Sequence, residues 1–441
     1  MSLARSIKLT PPQLLTSIFG GGIIIGAILL MLPFSTTKPI SWVDALFTST
    51  SAMTVTGLAV VDTGTRFTVF GQTIIMLLIQ VGGLGIMSFA VLIFIMLGKK
   101  IGFKERMVVQ QALNQTNIGG VILLVKRLFI FSFLIELIAL IFLAIRWVPE
   151  FGWGRGLFFS LFHSISAFNN AGFGLLSDSL VQYVGDPLIN IVISFLFIIG
   201  GIGFTVLADL WDKKSYKKLS LHSKLMIIGT FAINIVAMLF IFFLEYGNAK
   251  TLGSLSLGDK IWASYFQAVT TRTAGFNSID IANLTDSTAF LMIVLMFIGA
   301  GSASTGGGIK LTTFIVITFA VISFIRGRED TVLLKRRLSE LYVVKALAIS
   351  TISIMFVFLA IFALNISEPN TPFLKLTFEV VSAFGTVGLS MGTTPELSYV
   401  GRVIIIFIMF LGKIGPLTLA FSLAKPKREK IRYPNEDVLI G

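Results

Sequence analysis

A chain of 441 residues with 55% hydrophobic and only 13% charged residues, and a mean hydropathy of +0.91, falls outside soluble globular composition, where about 25% of residues are charged. It reads as an integral membrane protein. No cysteine and two isolated histidines, His163 and His222, exclude disulfides, thiolate metal sites and an imidazole cluster for zinc or redox chemistry.

The N-terminal apolar run follows Arg5 and Lys8, lacks a small-residue cleavage box and continues to Leu32 and Pro33, so it is expected to be a first membrane helix and not a cleaved leader. Spanning runs at 14–32, 128–145, 225–244 and 346–366 are each followed by a shorter run, and then by a second spanning run beginning near Thr73, Leu188, Ala289 and Val403. The expected units are 1–105, 106–219, 220–338 and 339–424, with a cytoplasmic tail over 425–441. A short run such as 42–53 would rise only about 18 Å as a helix against a hydrocarbon core of about 30 Å, so it must enter the membrane and turn back. The formal charge of +13 follows this topology and gives no sign of nucleic-acid binding. If each unit crosses out, dips and crosses back, the inner segments carry Lys99, Lys100, Lys213, Lys214, Arg326, Arg328, Arg336, Arg337 and the basic run 425–432, while the outer segments are net acidic. That is a positive-inside pattern with both termini cytoplasmic. The basic loops 213–218 and 335–337 are topology determinants, open to acidic lipid or a partner.

Each short run ends in the same kind of stretch: FTSTSAMTVTGL at 47–58, FHSISAFNNAGF at 162–173, YFQAVTTRTAGF at 265–276 and FEVVSAFGTVGL at 378–389. With Gly57, Gly172, Gly275 and Gly388 superposed, an aromatic stands ten residues upstream (Phe47, Phe162, Tyr265, Phe378), and Ser51, Ser166, Val269 and Ser382 stand six upstream. The copies are about a hundred residues apart, a large structural unit and not a solenoid period. Four copies imply an all-α membrane protein of four pseudo-symmetric helix–pore helix–helix units around one central pore. Non-helical backbone at membrane depth is tolerated where it is buried or lines water, and a ring of carbonyls can replace the hydration shell of K⁺ without fixed negative charge. The candidate ligands are the carbonyls of Val55, Thr56 and Gly57, of Asn170, Ala171 and Gly172, of Thr273, Ala274 and Gly275, and of Thr386, Val387 and Gly388. One glycine per loop, where the potassium-channel TVGYG has two, predicts fewer tight ion sites.

The second spanning runs share a further row, Gly82-Gly83-Leu84-Gly85, Gly200-Gly201-Ile202-Gly203, Gly299-Ala300-Gly301-Ser302 and Gly412-Lys413-Ile414-Gly415. In the first two, small residues at this spacing read as close helix packing. In the third unit the run from Ala289 to Ile325 carries no charge but Lys310 and would make a helix of about 55 Å. A break is therefore expected across Gly299, Ala300, Gly301, Ser302, Ala303, Ser304, Thr305, Gly306, Gly307 and Gly308, where helix propensity is minimal. G-x-x-x-x-G-K-[ST] is not met there, which excludes a phosphate loop. Lys413 sits at the same depth and is too far from its helix end to snorkel, so it is expected to face the pathway or the loop. Glu136, in an apolar run, calls for a buried partner or an edge to reach. His163 reads as packing in a pore helix, and Arg272 as bonding to neighbouring carbonyls.

Together with these features, TPPQ at 10–13, VVDTG at 60–64, SAFNNAGF at 166–173, RTAGFNS at 272–278, GAGSASTGGGIK at 299–310 and IRYP at 431–434 resemble the Ktr/Trk/HKT superfamily of potassium transporters, most closely the bacterial Ktr membrane subunit. The resemblance implies K⁺ uptake across the plasma membrane through a gated, channel-like pore. It also implies a homodimer, a cytosolic ring of nucleotide-binding, RCK-type regulatory subunits, and a gate in the 299–308 loop beneath the filter; nucleotide would bind only the partner. Relatives carry arginine in the matching G-R-I-G-P-L-T motif, and Lys413 keeps its charge without its bidentate geometry. Na⁺ as activator or coupled ion remains open, the alternative being a Na⁺-coupled or Na⁺-selective carrier; relatives with serine in the first loop lean toward Na⁺, and Gly57 favours K⁺. An enzyme would need a titratable constellation at membrane depth. Glu136, Lys310 and Lys413 do not supply one. An inverted-repeat carrier would have antiparallel halves, whereas these repeats all run one way.

Overall fold

The computed structural model describes residues 11–85, 88–89, 91–92, 107, 110, 120–415, 418, 434 and 436. Arg5, Lys8, Lys99, Lys100 and the basic run 425–432, on which part of the topology argument rests, lie outside the described residues. Four outer helices, Pro11–Leu30, Val121–Phe151, Leu221–Glu245 and Glu340–Ser367, are each long and apolar enough to cross a membrane. They leave Ile24, Phe133, Phe231 and Phe358 exposed, as a lipid-facing surface requires.

Each outer helix is followed by a short one: Trp42–Met53, Trp153–Phe168, Leu257–Thr270 and Phe373–Gly385. Inner helices follow at Val69–Leu84, Pro187–Ile202, Asp286–Ile298 and Tyr399–Ile414. The starts of the inner helices are written in polar residues. The side chains of Thr68, Asp186, Thr285 and Ser398 each accept a first-turn amide, satisfying donors that have no partner inside the helix. The upstream aromatics Phe47, Phe162 and Phe378 are fully buried. Tyr265 is only partly buried, and its hydroxyl lies 3.0 Å from Ser194 Oγ, which explains a tyrosine where the other copies have phenylalanine. Arg402 of the last inner helix forms an ion pair with Asp44 of the first short helix, joining the fourth helix set to the first.

The expected break in the third inner helix is present: helix stops at Ile298 and resumes as Leu311–Ile325. The sequence marked no break in the other units, yet each of their inner helices ends at the same row, at Gly85, Gly203 and Gly415, with φ of +87°, +110° and +89°. After Gly203 the chain turns by 93° into the helix Phe204–Lys213. Two or three glycines inside an apolar run leave the run apolar and no longer than one membrane crossing, so length alone could not reveal these ends. Only the third run was too long to be one helix.

The first glycine of the row has a separate task. A methyl group on Gly82, Gly200 or Gly412 would lie 1.9, 1.8 or 2.0 Å from the carbonyl oxygens of Met53, Phe168 and Phe384, at the ends of the corresponding short helices. The packing role expected in two units thus extends to a third. Gly200→Ala should lower stability by about 2 kcal/mol or more, because rigid backbone must move aside. Thermal unfolding of the purified protein checks this, and an unshifted transition would contradict the seating of the inner helix on the short one.

Candidate ion pathway

Beyond each short helix the backbone takes a conformation that L residues avoid, at the same two places in all four loops. The glycines have φ of +91°, +69°, +77° and +92° at Gly57, Gly172, Gly275 and Gly388, and the residues two before them, Val55, Asn170, Thr273 and Thr386, have φ of +53°, +58°, +71° and +51°. Three of these four are β-branched, for which positive φ is a true outlier; such positions cost of order 1–3 kcal/mol each and persist only where the surroundings enforce them.

The enforcing bonds come from the row six upstream. Ser51, Ser166 and Ser382 accept through their carbonyls from the amides of Thr56, Ala171 and Val387, each at 2.8 Å. The Ser51 and Ser382 hydroxyls also accept from the amides of Gly57 and Gly388, and Ser166 Oγ donates to the Phe173 carbonyl at 2.7 Å. In the third loop, where Val269 has no hydroxyl, the next residue substitutes: Thr270 Oγ1 donates to the Phe276 carbonyl at 2.6 Å, and its carbonyl accepts from Ala274 at 3.0 Å.

The four glycines close on one another. An added methyl on Gly57 would lie 2.5 Å from the Ala171 carbonyl oxygen, and one on Gly172 would lie 2.8 Å from Gly275 Cα and 3.0 Å from the Ala274 oxygen. On Gly275 it would meet the Val387 oxygen at 2.4 Å, and on Gly388 the Thr56 oxygen at 2.1 Å. Each glycine therefore faces the carbonyl preceding the next glycine, and the sequence of neighbours returns to its start. The four glycines and the four carbonyls that precede them, eight of the twelve residues read as carbonyl ligands, are brought together in one ring.

The non-helical segment 299–310 lies against this ring. Thr305 Oγ1 donates to Asn170 Oδ1 at 2.8 Å, the Gly307 amide donates to Thr386 Oγ1 at 2.8 Å, and Gly306 has room only for hydrogen beside Thr273 Oγ1. Three of the four loops thus touch the segment through the residue two before their glycine, while Val55 of the first has no hydrogen-bonding side chain. Arg272 Nε adds a bond to the Gly299 carbonyl at 2.7 Å. Facing the second unit, Gly301 N donates to the Gly201 carbonyl and Phe204 N to the Ala303 carbonyl, both at 2.8 Å. The two lysines hold three more carbonyls: Lys413 Nζ donates to Thr305, and Lys310 Nζ to Gly306 and Gly307. Lys413 faces the loop, as its depth predicted, and does not snorkel.

Glu136 has buried partners and no edge to reach: Gln80 Nε2 lies 3.0 Å from both carboxylate oxygens, and Asn169 Nδ2 lies 3.3 Å from one. Sequence reasoning missed Gln80 and Asn169, although a glutamine inside an apolar run was a signal available to it. It also read Asn170 and Thr386 as carbonyl ligands only, whereas their side chains reach the intramembrane segment. His163 is packed as expected, 2.8 Å from the Phe159 carbonyl and 4.7 Å from the Trp147 ring.

A bundle of membrane helices enclosing a ring of constrained backbone is the architecture of a membrane protein that moves ions. The pattern of the family described as "TrkH: Cation transport protein" matches residues 22–432, and the chain belongs to that family. It is 62% identical over 435 residues to the Ktr system potassium uptake protein B of Bacillus subtilis, covering 99% of this chain and 98% of the relative. It is 37% identical to the potassium/sodium uptake protein NtpJ of Enterococcus hirae, covering 98% of each. The crystal structure of the potassium transporter TrkH from Vibrio parahaemolyticus has the same fold, with a TM-score of 0.74 at 20% identity over 96% of this chain and 87% of that one.

Ser382→Ala removes the hydroxyl that holds the Gly388 amide, leaving a donor without its acceptor. The expected loss is about 1–3 kcal/mol, read as a lower unfolding temperature of the purified protein; no change would place the restraint on this loop elsewhere.

Proposed function

We propose that this chain is the translocating subunit of a potassium uptake system in the plasma membrane, with four units packed around one K⁺ pathway. The observation that carries this reading is the closed ring of four loops, each with positive φ at two matched positions. Carbonyls in such a ring substitute for water around a monovalent cation. The charged side chains at the ring and the loop beneath it, Arg272, Lys310 and Lys413, are cationic, so selection rests on backbone dipoles.

Beneath the ring, the segment 299–308 is the gate. Its hydrogen bonds to Asn170 and Thr386 keep it under the filter, and the lysines place positive charge where a cation must pass, which raises the barrier. A relative named as protein B of a Ktr system supports a subunit role, with a homodimer of this chain on a cytosolic, nucleotide-binding ring that biases the gate. The likeness to a potassium/sodium uptake protein favours one second reading, Na⁺ coupling of the same pathway.

Uptake of K⁺ and of Na⁺ by a potassium-transport-deficient cell, with and without a candidate cytosolic subunit, tests the assignment. K⁺ accumulation is expected, and Na⁺ uptake without K⁺ uptake would overturn it. Gly57→Ser should weaken K⁺ affinity and K⁺/Na⁺ discrimination, because its Cβ would displace the Ala171 carbonyl from the ring. Lys413→Gln removes the charge and weakens the hold on Thr305. Maximal K⁺ flux should rise with little change in apparent affinity; a large affinity change at constant maximal rate would assign Lys413 to the filter.

A further inference from the structure

A small lateral cavity of about 20 Å³, enough for one water-sized or halide-sized occupant, lies beside the pathway, between inner helix Pro187–Ile202, outer helix Leu221–Glu245 and the third short helix with its loop. Its wall is apolar at Phe197, Ile198 and Val269, and three polar side chains line it, Thr230, Asn234 and Arg272. They are 8, 8 and 7% exposed. Arg272 uses Nε on the Gly299 carbonyl, but its Nη1 is buried with no acceptor, and Asn234 Oδ1 is buried with no donor. Among the described residues, none of the six ion pairs includes Arg272.

A guanidinium in a protein stays charged, and burying it without a counter-charge costs several kcal/mol. Water would satisfy the free N–H and leave the charge uncompensated. A monovalent anion answers both needs, whereas a dianion such as sulfate would bring more charge than one arginine can balance. The other two side chains suit an anion as well: the Asn234 carboxamide presents its NH₂ after a half-turn about its last bond, and Thr230 has a hydroxyl to donate. We propose that this cavity binds a small monovalent anion of the halide class, held by Arg272 with Asn234 and Thr230. The anion compensates a positive charge three residues before Gly275. If the ring carries K⁺ as proposed above, anion occupancy also strengthens cation binding.

The direct test does not depend on transport. Crystals of the full chain grown with bromide in place of chloride should show anomalous density in the cavity beside Arg272. Chloride, exchanged for gluconate at constant ionic strength, should raise the unfolding temperature of the purified protein. Asn234→Leu, which fills the space with an apolar side chain of similar size, should fold and lose both signals; Arg272→Gln serves as a second variant. Apparent K⁺ affinity should fall roughly threefold in gluconate for the parent and be the same in both salts for Asn234→Leu. Density for water alone in bromide, or chloride-dependent stabilisation that survives Asn234→Leu, would overturn the anion site while leaving K⁺ uptake by the parent chain untouched. Normal anion binding with no K⁺ uptake would overturn the transport reading instead.

Discussion

Backbone that leaves the helix inside a membrane has no water to satisfy it, and every other feature of this fold answers that constraint. Four chain segments leave the helix at depth after the short helices, and a fifth does so at 299–310. The first four direct amides onto serine and threonine groups of their own short helices. The fifth is held by its neighbours: Gly201 and Phe204 of the second unit, Thr386 of the fourth ring loop, and the two lysine side chains. Little of this backbone has to find solvent on the lipid side.

The same constraint explains the glycines without reference to flexibility. At Gly82, Gly200 and Gly412 a hydrogen in place of a methyl lets the inner helix rest on the terminal carbonyl of a short helix. At Gly57, Gly172, Gly275 and Gly388 it lets four strands of backbone approach one another more closely than any side chain permits. At Gly85, Gly203 and Gly415 positive φ ends a helix. These are three separate uses of one residue, two of them resting on close approach and one on a backbone angle.

Most of the architecture was legible because the repeat is internal to the chain. One short helix ending in a glycine is commonplace, but four in matched register, all with the upstream aromatic and three with the serine, point to the ring from sequence alone. The third inner run was legible for a different reason, being too long for one membrane crossing. What stayed hidden had no periodic or length signature: the helix ends at Gly85, Gly203 and Gly415, the pairing of Glu136 with Gln80 and Asn169, and the substitution of Thr270 for the missing serine at Val269. Those depend on three-dimensional neighbours far apart in sequence, and on a one-residue shift that breaks the register an alignment of the copies relies on.

The segment 299–310 is bonded to the second and fourth ring loops by side-chain contacts that bury Asn170, Thr305 and Thr386. Moving it aside would leave a carboxamide, two hydroxyls and several peptide groups without these partners. Each such group would then have to be met by a water molecule, so displacement of the segment and hydration of its seat would be one event. If the segment is the gate proposed above, the balance between its two positions would respond to whatever alters the chemical potential of water.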